Sequence, residues 1–339
     1  MITTPASESA QNCSRSKYSM KPIYPLTFTP IPMERVWGGH RFATLLGKQI
    51  PLGNPIGELW ELVDRAEAQS VVHEGPLKGK TLHDLWSSHR SEIFGKKQLS
   101  NPSPRFPLLI KLLDACDRLS VQVHPPVERA QDLGGEPKTE CWYFLHAAEG
   151  ASIYAGLKKG VTREDFESAL RDGSVEATLH RAPSRTGESI FIPSGRLHAI
   201  GDGLVIVEVQ QNSDTTYRVF DWNRKGLDGK PRELHLEESM DSIDFDDFEP
   251  PLTPASDPLV ADCPYFRVEK QEVKSHLPVG EPDDFSIITC LTGSLKCEGM
   301  PLNPGEFMLL PASPQPFILK PIAPDSMILV TRLPVVISE

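Results

Sequence analysis

One short run of alternating residues constrains the fold more than any other part of this chain. Ser120, Gln122 and His124 alternate with Val121 and Val123. Because consecutive side chains of a β-strand point to opposite faces, this pattern predicts a strand with one polar and one apolar surface. The polar surface would carry a hydroxyl, an amide and an imidazole side by side.

A second polar pair follows after a Gly-Gly turn. Lys138 and Glu140 again lie two residues apart, where an apolar run begins at residues 141–145. An amide, an imidazole and a carboxylate that face one space match the nitrogen and oxygen ligands that zinc accepts, so the two stretches predict part of a divalent metal site. Glu140 could instead form an ion pair with Lys138, and Gln122 could form a hydrogen bond within the sheet.

A second histidine follows a patterned turn at residues 187–198, which read G-E-S-I-F-I-P-S-G-R-L-H. A strand leading into Pro-Ser-Gly would turn the chain back, so that His198 projects into the mouth of a barrel. The spacing resembles the second sequence motif of cupins, small double-sheet barrels that hold a metal between their sheets. Residues 305–311 repeat the start of this pattern without a histidine.

The chain of 339 residues is longer than one hydrophobic core usually organises, so two lobes are expected. Short strand-like runs separated by glycine and proline predict a mainly β fold. We expect a disordered tail at residues 1–22, and a metal-binding cupin catalytic domain with inserted helices, a double-stranded β-helix or jelly roll, at residues 23–250. A smaller cupin-like β domain without a metal site is expected at residues 251–339.

Helices are predicted at a few positions inside the first lobe. Thr81 and Thr162 are each followed three residues later by Asp, which is typical of a capping box at a helix start. Gly95 is placed to end the first of these helices, and a third, short helix is expected from Ser174.

The composition of the chain argues against several classes of protein. A net charge of -11 argues against a general nucleic-acid role, since phosphate backbones are met by an excess of Lys and Arg. No stretch approaches the roughly 20 apolar residues of a membrane span. The six cysteines form no C-x-x-C pair, and the N-terminus lacks the apolar core of a signal peptide, so a cytoplasmic protein is expected.

Five sequence blocks resemble type I mannose-6-phosphate isomerase (phosphomannose isomerase) in its shorter bacterial form, over about residues 25–245. The blocks are W-G-G (37–39), G-E-L-W-E (57–61), L-S-V-Q-V-H-P (119–125), G-E-P-K-T-E-C-W-Y (135–143), and I-P-S-G-R-L-H-A-I-G (192–201) running into V-E-V-Q-Q-N-S-D-T-T-Y-R-V-F-D-W (207–222). The resemblance implies one zinc ion per chain, bound by Gln122, His124, Glu140 and His198. It also implies a catalytic arginine at Arg218.

Further positions of the resemblance lie beside the sugar and its phosphate. Lys138 and Glu208 match such positions, and Ser120, Asp214 and Arg224 are candidate substrate contacts. Glu208 alternates with valines, which predicts an inward-facing carboxylate that must be paired or functional; an ion pair with Arg218 is the alternative. Asp214 could instead only cap its turn.

The implied reaction interconverts mannose 6-phosphate and fructose 6-phosphate through an enediol. Glu208 is the favoured base, with Lys138 or a zinc-bound water as alternatives, and Arg218 would neutralise the enediolate. Two other readings stay open, an iron cupin oxygenase and a non-catalytic sugar-phosphate-binding cupin. The expected partner is a small sugar phosphate, with no nucleic acid and no membrane, and the protein would be a monomer or homodimer.

Overall fold

The computed structural model describes residues 23–51 and 53–334, and the predicted disordered tail, residues 1–22, lies outside the described residues. The first lobe contributes the strands β1 Ile31–Gly39, β2 Ile56–Leu62, β3 Leu108–Ala115, β4 Val121–Val123, β5 Glu140–Ala147, β6 Ser152–Leu157, β7 Leu179–Pro183, β8 Ser189–Ile192, β9 His198–Ile200, β10 Leu204–Gln211 and β11 Tyr217–Phe220. The second lobe contributes β12 Leu259–Asp262, β13 Arg267–Glu272, β14 Leu277–Val279, β15 Ser286–Thr292, β16 Leu295–Cys297, β17 Met300–Leu302, β18 Phe307–Leu310, β19 Phe317–Pro321 and β20 Met327–Arg332.

Helices are short and belong to the first lobe and the connection after it. They are α1 Arg41–Leu46, α2 Leu82–Ser88, α3 Arg90–Ile93, α4 Val127–Ala130, α5 Arg163–Asp172 and α6 Leu236–Ser242, with 3-10 helices at Lys96–Ser100 and Val175–Thr178. None of the helices in the described ranges is long and apolar enough to cross a bilayer.

The first lobe consists of two antiparallel sheets that face each other. One has the order β1-β2-β3-β10-β5-β8 and the other β11-β4-β9-β6-β7. Strand β10 lies near the middle of the larger sheet, where Glu208 is opposite Lys111 on β3 and Trp142 on β5. In the smaller sheet, Gln122 is opposite both His198 on β9 and Arg218 on β11. Strand pairing therefore brings together side chains that are far apart in sequence.

The second lobe repeats the two-sheet arrangement, with the orders β12-β13-β20-β15-β18 and β14-β19-β16-β17. The lobes are packed together: Leu26 forms an isolated bridge with Leu309, and the rings of Phe94 and Phe285 lie 5.1 Å apart, edge to face. One apolar cluster contains buried residues of both lobes. The proposed boundary at residue 250 stays a prediction.

The predicted helix starts are found. Both capping boxes form, at Thr81 before α2 and at Thr162 before α5, and the segment after Ser174 is a 3-10 helix. The first helix, however, is interrupted after Ser88 and resumes at Arg90. The Arg90 Nε donates to the Trp86 carbonyl (3.0 Å), which would accept the Arg90 backbone N–H in a continuous helix. Gly95 follows at φ 87°, as expected for a helix end.

Candidate metal centre and active-site cavity

A cavity of about 380 Å³ lies between the two sheets of the first lobe. The larger sheet lines it with Glu58, Lys111 and Glu208, and the smaller sheet with Gln122 and Arg218. Such a concave, strongly charged space between packed sheets suits a small polar ligand.

Two histidines and a glutamate lie next to this cavity, in contact with its lining residues Gln122 and Lys138. Nε2 of His124 is 3.6 Å from one carboxylate oxygen of Glu140, and Nε2 of His198 is 3.6 Å from the other. The three side chains are at most 1% exposed, and their potential ligand atoms lie within 4.8 Å of one another. This cluster is the only group of its kind found in the described residues.

The hydrogen bonds of the two histidines fix which ring nitrogen carries the proton. Nδ1 of His124 lies 2.8 Å from the Thr215 carbonyl, and Nδ1 of His198 lies 2.8 Å from the Arg196 carbonyl. A carbonyl oxygen only accepts, so each Nδ1 donates and each Nε2 presents a lone pair toward Glu140. Carbonyl partners of this kind orient metal-binding histidines in many proteins.

Of the four atoms that face one another in the cluster, all but Nε2 of His198 lack a hydrogen-bond partner. Nε2 of His124 and both carboxylate oxygens of Glu140 are buried without a hydrogen-bond partner, although Lys138 Nζ lies 3.2 Å from one of these oxygens as an ion pair. Burying such acceptors costs free energy unless a cation or donor meets them. The donor set of two imidazole nitrogens and a carboxylate therefore fits a divalent metal ion.

The electrostatics keep this cluster deprotonated. Burial and the nearby Lys138 lower the pKa of His124 to about 3, and burial also lowers the pKa of His198. Burial acts to raise the pKa of Glu140, but the attraction of Lys138 and His124 outweighs it and holds that pKa well below its usual range. Neutral imidazoles and an ionised carboxylate are the forms that bind metal.

Both alternatives considered for this site are also present in the structure. Gln122 Nε2 lies 3.2 Å from His198 Nε2, a contact between neighbouring strands, and Lys138 pairs with Glu140. Neither contact excludes metal binding, because the amide of Gln122 also has an oxygen and Glu140 has two.

Glu208 is buried at the centre of the larger sheet, but it does not form the ion pair with Arg218 that the sequence analysis gave as the alternative. Lys111 Nζ lies 3.4 Å from Glu208 Oε2, so the ion pair is with Lys111 rather than Arg218. Trp142 Nε1 donates to Oε1 (3.0 Å), whereas Oε2 has no hydrogen-bond partner. Burial, followed by repulsion from Glu140, raises the pKa of Glu208.

Lys111 is a site residue that the sequence reasoning did not identify. Its Nζ also lies 3.8 Å from Glu58 and 3.9 Å from Asp214, and its side chain is 3% exposed. The available signal was a single lysine inside the apolar run of β3, since a buried cation needs carboxylate partners.

The remaining candidates divide into those at the cavity and those away from it. Ser120, Lys138, Asp214 and Arg218 line the cavity. The Thr215 N–H donates to Ser213 Oγ, so the described cap of this turn is Ser213 and not Asp214. Arg224 does not line the cavity, because its guanidinium is bound to Asp221, to Asp117 and to the Arg118 carbonyl.

Fold and site together define a cupin with a candidate metal centre in its first lobe. Residues 27–136 match the family described as phosphomannose isomerase type I, catalytic domain. Mannose-6-phosphate isomerase ManA of Bacillus subtilis is 37% identical over 300 residues, which cover 85% of this chain and 93% of that protein. Mannose-6-phosphate isomerase of Streptococcus mutans is 36% identical over 291 residues, covering 82% and 89%. The chain belongs to the type I phosphomannose isomerase family, as its sequence blocks indicated.

Solved structures agree with this assignment. The crystal structure of the Bacillus subtilis mannose 6-phosphate isomerase has a TM-score of 0.80 and 32% identity, covering 91% of this chain and 100% of that one. A mannose 6-phosphate isomerase described as bound with zinc and yttrium has a TM-score of 0.67, covering 91% and 99%. At 16% identity the latter shows the fold alone. The predicted mainly β cupin fold is confirmed, and the family makes the protein an aldose–ketose isomerase.

Proposed function

We propose that this protein interconverts mannose 6-phosphate and fructose 6-phosphate with one zinc ion bound per chain. The observation that carries the proposal is the buried cluster of His124, Glu140 and His198 beside a charged cavity, in which His124 Nε2 and both Glu140 oxygens have no hydrogen-bond partner. Membership of the family supplies the reaction and the substrate class.

Gln122 would complete the ligand set of this centre. It lies on β4, opposite His198, so its amide is next to the cluster. A zinc ion held by these four side chains would act as a Lewis acid that polarises the substrate oxygens. The surrounding residues must then bind the sugar, exclude water and move the proton between C2 and C1.

Glu208 is the base in this proposal. It lines the cavity, and its Oε2 accepts no hydrogen bond and has only the ion-pair contact with Lys111, so this oxygen is the one that would accept a proton. Burial raises its pKa, which moves a carboxylate toward the neutral range where a base works best. Lys138 is the weaker candidate: burial lowers its pKa, but the carboxylates of Glu140, Glu208 and Asp214 outweigh burial and raise it. Lys138 therefore remains a cation.

Charge that develops on the substrate oxygens needs a fixed donor. Arg218 lines the cavity and its buried Nε has no partner, so its guanidinium can donate to an enediolate. Ser120, Lys138 and Asp214, which line the same cavity, would position the sugar and its phosphate.

We place the enzyme in the cytoplasm, a proposal supported by the free thiols of the described cysteines, 116, 141, 263, 290 and 297.

The experiment is a coupled assay of fructose 6-phosphate formation from mannose 6-phosphate. Purified protein is assayed before and after removal of metal by a chelator, and again after zinc, cobalt or iron is added back. The proposal expects loss of activity on chelation and recovery with zinc. A folded, zinc-loaded protein without activity on mannose 6-phosphate would refute it.

A further inference from the structure

Three arginines lie close together at one end of the active-site region, around the loop that follows β11. They are Arg218, Arg224 and Arg232, and two of them share the carboxylate of Asp221. Arg224 donates from Nε (3.1 Å) and Nη2 (2.9 Å) to Oδ1, while Arg232 donates from Nε to Oδ2 (2.7 Å) and from Nη2 to Oδ1. Asp221 thus fixes the orientation of both guanidinium groups.

The turn that carries Asp221 is itself held in an unusual conformation. Trp222 and Asn223 both have φ of 55°, a left-handed conformation that is uncommon for residues other than glycine. Trp222 is fixed by a hydrogen bond from its Nε1 to the Leu119 carbonyl (2.6 Å) and by the Arg118 guanidinium, 4.0 Å above its ring. Packing of Trp222 therefore supports a turn that directs Asp221 toward both arginines.

The two arginines bound to Asp221 differ in their access to the cavity. Arg232 lines it, and its Nη1 has no hydrogen-bond partner among the described residues. Arg224 lies outside the lining and also contacts Asp117 and the Arg118 carbonyl. Arg232 is therefore oriented by Asp221 and still has a free donor.

The opposite wall of the cavity offers no equivalent cation. Arg35 lines it too, but its Nε and Nη2 each donate to Glu58 at 3.1 Å and its Nη1 donates to the Glu34 carbonyl. Lys111 lies near three carboxylates and Lys138 is paired with Glu140. The three arginines, by contrast, share only Asp221 and the exposed Asp117. A dianionic group entering the cavity would thus find its least compensated positive charge at the loop after β11.

The order of strands separates this loop from the metal cluster. From His198 on β9, the smaller sheet continues through Gln122 on β4 to Arg218 on β11. The chain preceding α6 then runs beside Arg218, since the His235 N–H donates to the Arg218 carbonyl (2.8 Å). Arg232 lies in this last segment, so Arg218 lies between it and the cluster.

We propose that Arg232, oriented by Asp221, binds the phosphate group of the substrate, and that Arg224 supports this arrangement without contacting substrate. The proposal rests on the proposed function for the identity of the substrate. A phosphate ester carries up to two negative charges and three acceptor oxygens, and a guanidinium fork matches it in charge and geometry. Arg218 then remains free to donate hydrogen bonds to the enediolate oxygens.

The test compares Arg232→Met with Arg224→Met as a matched control. Binding of inorganic phosphate to zinc-loaded protein is measured by calorimetry, and kcat and KM are measured for mannose 6-phosphate. Loss of a charge-assisted hydrogen bond predicts that Arg232→Met weakens phosphate binding and raises KM by about 10- to 100-fold. Arg224→Met should change both by less than about threefold, because the bonds between Arg232 and Asp221 remain.

The outcomes of these measurements decide the proposal and separate it from the proposed function. Wild-type phosphate affinity in Arg232→Met overturns it, as does a larger loss in Arg224→Met. If wild-type protein binds phosphate through Arg232 but does not convert mannose 6-phosphate, Arg232 remains a phosphate-binding residue and the proposed function fails. If Arg232→Met does not fold, Arg232→Lys is measured instead. Lysine keeps the charge but not the paired bonds to Asp221, so a partial loss of phosphate affinity is expected. Unchanged affinity in Arg232→Lys would refute phosphate binding by Arg232.

Discussion

The two lobes share an architecture and differ in what fills the space between their sheets. In the first lobe this space contains buried ionisable groups, among them His124, Glu140 and Glu208. In the second lobe it contains an apolar cluster, with members such as Ile288, Leu310, Leu319 and Val330. The same pair of facing sheets thus accommodates either a charged site or a plain hydrophobic core, so the fold alone does not specify the function.

The difference is clearest where the two lobes have similar sequences. Gly187 and Gly305 both adopt positive φ, 89° and 76°, before the strands β8 and β18. After the next turn, β9 begins with His198 and β19 begins with Phe317. His198 presents a ring nitrogen to Glu140, whereas Phe317 is 5% exposed and packs in the apolar cluster. The first residue of the strand after the turn is therefore a candidate metal ligand in one lobe and a core residue in the other.

Substitution at each of these two positions is the strongest test of the comparison. His198→Ala should reduce bound zinc from about one per chain to near zero and lower kcat/KM by roughly 10³-fold, because metal polarisation contributes several kcal/mol to the transition state. Metal content is measured by elemental analysis and activity by the coupled assay. Phe317→His is the matched control and should bind no additional metal, since the apolar cluster around it contains no histidine or carboxylate and burial keeps its two thiols, Cys290 and Cys297, protonated. Full zinc content in His198→Ala would remove His198 from the ligand set.

A second test asks whether the charged interior does more than bind metal. Glu208→Gln keeps the shape of the side chain and lies outside the cluster, so zinc content should be unchanged while kcat falls by roughly 10²- to 10⁴-fold, the usual contribution of a general base. Exchange of the C2 proton with deuterated solvent, followed by NMR, should fall in parallel. Undiminished exchange in Glu208→Gln would assign the base to another group.

The apolar interior of the second lobe should affect stability alone. Leu310 is fully buried, and Leu310→Ala should lower the free energy of unfolding by about 2–5 kcal/mol through lost contacts and a residual cavity. Urea unfolding measures this loss. Zinc content and kcat should match those of the wild type below the transition, and a folded Leu310→Ala protein that lost either would show that the second lobe supports the site directly.

The sequence predicted which residues come together in the candidate metal centre because those residues lie on regular strands. Alternation along β4 places Gln122 and His124 on one face, and the turn pattern before β9 identifies His198. Capping boxes likewise located the starts of α2 and α5. These signals are local, and local geometry is what a single sequence encodes most directly.

Other features depend on contacts between distant segments and could not be predicted in the same way. The partner of Glu208 is Lys111, which lies opposite it only because β10 pairs with β3. Arg232 lies in an irregular polar loop, where nothing local indicates that it, rather than Arg224, reaches the cavity. The break before Arg90 depends on a side chain that replaces a backbone donor.

The last prediction concerns acid stability of metal-free protein and again contrasts the lobes. Burial and Lys138 lower the pKa of His124 from 6.5 to about 3, so at intermediate pH the unfolded chain binds a proton that the folded chain does not. Stability should therefore fall as pH drops below about 6.5, by up to about 1.4 kcal/mol per pH unit from this one group, until about pH 3. Urea unfolding in the presence of chelator measures the slope. His124→Gln should flatten it, whereas His276→Gln, at an exposed position of the second lobe, should not. An unchanged slope in His124→Gln would show that His124 does not cause the loss of stability in acid.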